Sequence, residues 1–298
     1  MGKKTIHDIP LQGRKVLLRA DFNVPLTDVG RISNDRRIRA TVPTIRAALD
    51  AGAAVILMSH LGRPTGDPAK DKKLQMDCVA ARLADLLNRP VRKADQVVGP
   101  HVTRIARSLR PGDVLVLENL RFHPGEKNGD ASFAAELAAL ADVYVNDAFG
   151  TCHNQDASMV AVPKQFPPGN RLAGLLLQRE LEVLDGLLSS PQQPMVAILG
   201  GAKVSDKIKL IESLIPRVQR LLVGGALAYT FLAIAGHNVG QSRVDTDSFE
   251  IARRLAELAA EKLSLPADTL AADRLDAKAL TRVEIGRASC RERVYVLV

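Results

Sequence analysis

At 298 residues the chain is long enough for about two domains, each with its own core, and too long for a disulfide-stapled miniprotein. Its 46% apolar and 25% charged residues suit an ordinary globular protein, and apolar runs such as residues 53–58 fall far short of the roughly 20 residues of a membrane span. The net charge of +8 is scattered, with no block of five like charges, no Trp and only 3% aromatic residues to stack on bases, which disfavours nucleic acid and leaves small phosphorylated anions as the better partner class.

From the N-terminus, residues 1–10 are charged and carry no apolar stretch of the signal-peptide kind, so a cytoplasmic protein is expected. Three cysteines, Cys78, Cys152 and Cys290, fit a reducing compartment; their odd number and spacing suit neither a disulfide framework nor a zinc site, and no metal ligands are assigned. Residues 15–19, 53–59, 113–117 and 143–145 read as buried strands, and residues 36–49, 75–87 and 132–140 between them carry helical spacing or Ala/Leu-rich composition. This is the βαβ alternation of a parallel, doubly wound sheet. A Pro- and Gly-rich loop at 163–170 precedes a helix at 175–188, where the domain boundary is placed. A second βα series follows, with strands at 195–199 and 220–223 and helices at 206–218, 227–235 and 249–262. So few strands make an incomplete second sheet. Beyond about Val283 the pattern stops, and residues 284–294 (EIGRASCRERV) resemble translated adapter DNA, so residues 284–298 are expected to be foreign.

Ligands of open α/β sheets bind beyond the carboxyl ends of the strands, and polar segments follow each predicted strand here. The first is Arg19-Ala20-Asp21-Phe22-Asn23-Val24-Pro25, where Asp21 and Asn23 could bond a polar substrate, although the same residues also suit a plain turn. Asn34 or Asp35 is placed to cap a helix whose first turn carries Arg36, Arg37 and Arg39. Cations are unfavourable there, so a guanidinium is expected to serve a phosphoryl group, while Arg36 and Arg39 also read as a solvated helix start. Ser59-His60-Leu61-Gly62-Arg63-Pro64 and Leu117-Glu118-Asn119-Leu120-Arg121-Phe122-His123 each bring an Arg and a His to a strand end, and Asn146-Asp147-Ala148-Phe149-Gly150-Thr151 ends the fourth. Convergence on one rim points to a small, multiply charged anion. In the second series, Gly200, Gly201, Lys203 and Lys207 follow a strand, with the two lysines expected to lie side by side at a helix start and to bind phosphates; Gly224 and Gly225 end the next strand. Neither GxxxxGK[ST] nor GxGxxG occurs, which argues against a P-loop and against a dinucleotide dehydrogenase.

RADFNVP, RRIRATVPTI, SHLGRP, LENLRFH, NDAFGT and LGGAKVSDKI, in this order over residues 15–276, closely resemble the phosphoglycerate kinase family. The resemblance implies two doubly wound parallel-sheet, Rossmann-like domains joined by a hinge helix: residues 1–172 for phosphoglycerate, 173–190 as the hinge, and 191–283 as a partial nucleotide domain. It implies phosphoryl transfer between ATP and 3-phosphoglycerate, giving ADP and 1,3-bisphosphoglycerate, with Mg2+, in a monomer that binds neither nucleic acid nor membrane. By the same resemblance, Asp21, Phe22, Asn23, Arg37, His60, Leu61, Gly62, Arg63, Arg121 and Asn154 contact the sugar acid. Gly200, Gly201, Lys203, Lys207, Gly224 and Gly225 contact the nucleotide, and Arg37 and Lys203 are catalytic. Asn154 stands where the family pattern has an arginine, so weaker phosphoglycerate binding is expected. The family's WNGP and GGGDT segments do not occur, and the chain as written is expected to be inactive or nearly so, with a non-catalytic phosphoglycerate-binding fragment as the alternative.

Overall fold

The computed structural model describes residues 3–240, 242–272 and 281–285. The chain divides into two units, Met1–Leu184 and Asp185–Val298. The first unit runs β1 (Lys15–Ala20), α1 (Arg36–Asp50), β2 (Ala54–Met58), α2 (Pro68–Asp71), α3 (Asp77–Leu87), β3 (Arg92–Lys93), α4 (Pro100–Ser108) and β4 (Val114–Val116). It continues through α5 (Pro124–Asn128), α6 (Ala131–Ala138), β5 (Val143–Asp147), α7 (Ala157–Lys164), β6 (Arg171–Ala173) and α8 (Leu175–Ser189), inside which the division falls. The six strands form one sheet in the order β3-β4-β2-β1-β5-β6, all parallel.

Alternation along the strands feeds two cores. Val16 and Leu18 of β1, Val55 and Leu57 of β2 and Val143 and Val145 of β5 pack with Ile38 and Ile45 of α1 and Val79 and Leu83 of α3. The intervening Leu17, Ile56, Met58, Leu115 and Tyr144 pack with Val102 of α4, Phe133 and Leu137 of α6 and Val162 of α7. With both faces buried the strands carry apolar residues at successive positions, which is why they were readable as short apolar runs. Register places Lys15 opposite Ala54 and Arg19 opposite Met58 on one side of β1, and Val16 opposite Val143 on the other. The carboxyl ends of these strands therefore reach the same rim. β3 and β6, of two and three residues, are too short to carry a sequence pattern, and α4, although Val102, Ile105 and Ala106 have helical spacing, was not among the expected helices; α7 contains Pro163 and ends at Lys164, so its last residues fall inside the expected loop.

In the second unit β7 (Val196–Gly200), α9 (Ile208–Leu214), β8 (Arg220–Gly224), α10 (Gly225–Ile234), α11 (Phe249–Ala259) and β9 (Leu263–Ser264) build a three-stranded parallel sheet in the order β7-β8-β9. Val204, Ile211, Leu221, Val223, Leu227, Phe231 and Leu255 form its core. Among the described residues one face of this sheet is covered, and Val196, Ile198 and Leu222 on the other are exposed. The helix expected over 206–218 is shorter: residues Ser205–Lys207 form a 3-10 turn and α9 stops at Leu214. β10 (Asp268–Ala272) and β11 (Thr281–Ile285) pair antiparallel, which the sequence reading did not anticipate. The run expected to be foreign lies outside the described residues from position 286 onward. No helix of the described residues is long and apolar enough to cross a membrane.

Candidate functional site

At the rim of the first sheet, the loops after β1, β2, β4 and β5 surround a cavity of about 760 Å³. The candidate residues Asp21, Asn23, Arg37, His60, Gly62, Arg63, Arg121 and Asn154 line it, with Gly150 and Thr151 of the segment after the fourth expected strand, and so do Lys127 and His153, which sequence reasoning did not single out. Phe22 and Leu61 do not offer side chains to it: both are core residues. Their backbone N–H groups are also engaged, Phe22 donating to Ser59 Oγ at 2.9 Å and Leu61 to Asn119 Oδ1 at 3.2 Å.

The polar side chains are held by one another. Arg37 Nη1 donates to Asp21 Oδ2 at 2.5 Å, and Asp21 Oδ1 accepts from the Asn23 N–H at 3.2 Å. A Cβ on Gly150 would stand 3.1 Å from Asp21 Oδ2, so a small residue there leaves room for the carboxylate. Gly62, at φ +64°, donates its N–H to Asn23 Oδ1 at 2.8 Å, while its carbonyl accepts from Arg121 Nη1 at 2.8 Å. A side chain at Gly62 would be strained and would strike Leu74. Under this loop, buried Asn119 donates to the carbonyls of Leu61 and Leu74 and accepts from the N–H groups of Leu61 and Arg121. The Glu118-Asn119 pair of the LENLRFH segment is thus scaffold, and Arg121 is the member that faces the cavity.

Of the arginines at the start of α1, only Arg37 lines the cavity among the described residues. Arg39 is drawn away by Asp35, which also pairs with Arg82 at 2.8 Å. Those two guanidiniums hold the Asp35 carboxyl below its usual range. Asp35 therefore makes no side-chain cap, and Asn34 Oδ1 accepts the Arg36 N–H instead.

His60 is 3% exposed, and burial first, then the nearby Arg19 guanidinium, push its pKa down to about 3. It is neutral at pH 7. Arg19 Nη2 lies 3.2 Å from His60 Nδ1, and because arginine can only donate, Nδ1 accepts and Nε2 carries the proton. Arg19 itself is fully buried; its Nε donates to Ser158 Oγ at 2.9 Å, and Ser158 Oγ donates to buried Glu126 Oε1 at 2.6 Å. Burial lowers the Arg19 pKa and the Glu126 charge opposes that shift, so a compensated buried pair orients the imidazole.

A second concavity, of about 810 Å³, shares Arg63 with this one and is lined by Lys70, Lys72 and Lys73. Its buried acid, Asp71, is already committed to the N–H groups of Thr65 and Gly66.

In the second unit Gly200 and Gly224 end neighbouring strands in register, and Gly225 opens α10 at φ +60°. The expected side-by-side placement of Lys203 and Lys207 on a helix does not hold, because Lys203 precedes the 3-10 turn. Beside this turn Asp245 Oδ2 accepts the Val204 N–H at 3.0 Å and so occupies a backbone donor that would otherwise be open to an anion. Lys207 instead lies over Gly201, where a Cβ would meet its Cε at 2.6 Å. Among the described residues no cluster of three or more His, Cys, Asp or Glu could hold a metal ion.

A two-unit α/β chain with cations gathered at the strand ends of one unit and a glycine-lysine segment at a strand end of the other has the features of a phosphotransferase. Residues 6–294 match the family model for phosphoglycerate kinase. The phosphoglycerate kinase of Rubrobacter xylanophilus is 52% identical over 282 residues, covering 95% of this chain and 70% of that protein. That of Rhodopirellula baltica is 51% identical over 273 residues, covering 92% and 68%. Among solved structures, phosphoglycerate kinase from Coxiella burnetii superposes with a TM-score of 0.79 at 36% identity, covering 98% of this chain and 74% of that one. The one from Pyrococcus horikoshii gives 0.78 at 27% identity, covering 95% and 71%. The chain belongs to the phosphoglycerate kinase family, whose substrates are 3-phosphoglycerate and ATP, the latter as its magnesium complex.

Proposed function

We propose that the cavity at the rim of the first unit binds 3-phosphoglycerate and that Gly200, Gly201, Lys203, Lys207, Gly224 and Gly225 of the second unit bind the phosphates of the nucleotide. The observation that carries this reading is the convergence of Arg37, Arg63, Arg121 and the Nε2–H of a neutral His60 on one cavity, a set of donors suited to an anion with two charged ends. Arg63, Arg121 and His60 hold the substrate phosphate, and Asp21 and Asn23 bond its hydroxyl. The acceptor is a carboxylate, ionised at pH 7 because its pKa is about 4, so no general base is required. One carboxylate oxygen attacks the γ-phosphorus of ATP, the bond to the β-γ bridging oxygen breaks, and ADP leaves as 1,3-bisphosphoglycerate forms. Catalysis is then alignment and charge neutralisation. Arg37 is exposed over half its side chain and tied to Asp21, which leaves it able to turn onto the transferring group; Lys203 assists from the nucleotide side. We place this activity in the cytoplasm, a reading supported by the free thiols Cys78 and Cys152.

Arg63→Met tests the assignment, since it removes a cation from the cavity wall without touching the Asn119 scaffold. The expected result in a calorimetric titration is a rise in the 3-phosphoglycerate Kd of about tenfold to a hundredfold, the worth of one charge-assisted hydrogen bond. An unchanged Kd would remove the cavity from consideration as the substrate site.

A further inference from the structure

α5 carries two consecutive charged residues that serve different ends. Glu126 is fully buried and accepts from both the N–H and the Oγ of Ser158, which fastens α5 to the start of α7. Lys127, beside it, emerges on the cavity wall with about half of its side chain exposed. Its Nζ donates to Asp156 Oδ1 at 2.9 Å, and Asp156 Oδ2 accepts from Asn154 Nδ2 at 3.2 Å. Asp156 occupies the N-cap position of α7 but gives no side-chain cap, because both of its oxygens are directed at these two partners. Its carboxylate is 4% exposed, so it needs a compensating cation, and among the described residues Lys127 is the one within ion-pair distance.

We propose that Lys127 is a substrate-binding residue, supplying to the phosphate of 3-phosphoglycerate the positive charge that Asn154 does not. The inference rests on the reading of this cavity as the 3-phosphoglycerate site and names one more contact in it. An ammonium group has three donors, and Asp156 engages one, leaving two for an anion in the cavity. The stem of Lys127 is free enough to swing toward that anion while Asp156 stays fixed by its backbone at the head of α7, where its carbonyl accepts from Val160. Asn154 is fixed by the same carboxylate and offers a neutral donor only. Lys127 already acts on the cavity electrostatically, being among the cations that depress the His60 pKa. The chain thus places its cation on α5, directly after the LENLRFH segment, where the family pattern has it in the loop after β5.

The alternative role, in which Lys127 serves only to neutralise Asp156, is separated by the charge-balanced double variant Lys127→Met/Asp156→Asn. It removes both charges and leaves no buried carboxylate unpaired. If Lys127 touches the phosphate, its 3-phosphoglycerate Kd in a titration rises about tenfold over that of the parent chain, Asp156→Asn alone binds more tightly because its lysine is released, and Lys127→Arg stays within about threefold of the parent. A double variant that binds as well as the parent overturns the proposal. Thermal melting monitors folding, and Lys127→Gln, which keeps a donor for Asp156 without the charge, repeats the comparison if the double variant does not fold. Arg63→Met in the same titration separates the two failures: if it weakens binding while the double variant does not, Lys127 alone is misassigned, and if neither does, the cavity is not the substrate site.

Discussion

His60 and Arg19 show how a residue can be both obvious in the sequence and misread in its chemistry. A histidine in a basic segment suggests a cation for a phosphate, yet burial and the adjacent guanidinium keep it neutral, and its contribution is a single oriented N–H. The consequence for stability has a definite sign. The folded pKa of about 3 lies below the usual 6.5, so above pH 6.5 the ring is neutral in both states, and below it the unfolded chain takes up a proton that the folded chain refuses. The stability present above pH 6.5 is therefore lost progressively as the pH falls toward 3, by up to about 1.4 kcal/mol per pH unit. His60→Asn, whose Oδ1 can still accept from Arg19, is expected to flatten this acid limb, measured as the difference in urea midpoint between pH 7 and pH 4. An equal loss in parent and variant would show that other groups carry the acid sensitivity.

At the scale of elements, the strand-end loops were legible because open parallel sheets put their polar residues there, and RADFNVP, SHLGRP and NDAFGT each follow an apolar run that can only be a covered strand. What the sequence could not reveal was which members of each motif face the ligand. Asn119 looks like a ligand residue and is scaffold, Phe22 and Leu61 are core, and Lys127 and Glu126 look like surface charges. Arg19 meets Ser158 across 139 residues of chain, and nothing local encodes such a pairing. Asp147 is a further case. It ends β5, is fully buried, and its Oδ1 accepts the N–H groups of Leu176 and Leu177 at the start of α8, while Gly174 leaves the space that a Cβ would take from the carboxyl. Burial raises its pKa from 3.8 to about 6. Its contribution to stability is thus fully present below pH 3.8 and is lost as the pH rises through 6. Asp147→Asn keeps the accepting oxygen and does not titrate, so its advantage over the parent should grow between pH 4 and pH 7, reaching about 2 kcal/mol after allowance for relaxation. Melting curves at the two pH values check this, and a variant destabilised more at pH 7 than at pH 4 would mean that the charged carboxylate favours the start of α8.

Across the whole molecule, each unit has its own apolar core: two layers around the six-stranded sheet in the first, and one layer against the three-stranded sheet in the second. The order of βα repeats made this division readable, whereas the β10 and β11 pair escaped notice because its residues show neither a long apolar run nor a tight-turn signature. Separate cores have a thermodynamic consequence, since a ligand stabilises the part of the chain that binds it. At one hundred times its Kd, 3-phosphoglycerate should add about 2.7 kcal/mol to the stability of the first unit. The effect should appear as slowed amide exchange in peptides from the ends of β1, β2 and β4 and from α5. Peptides from residues 196–264 should exchange at their unliganded rate under the same conditions and slow instead with magnesium and ATP. Protection by 3-phosphoglycerate alone in the second set, with none in the first, would place the sugar-acid site in the wrong unit and require the assignment of Arg63, Arg121 and His60 to be abandoned.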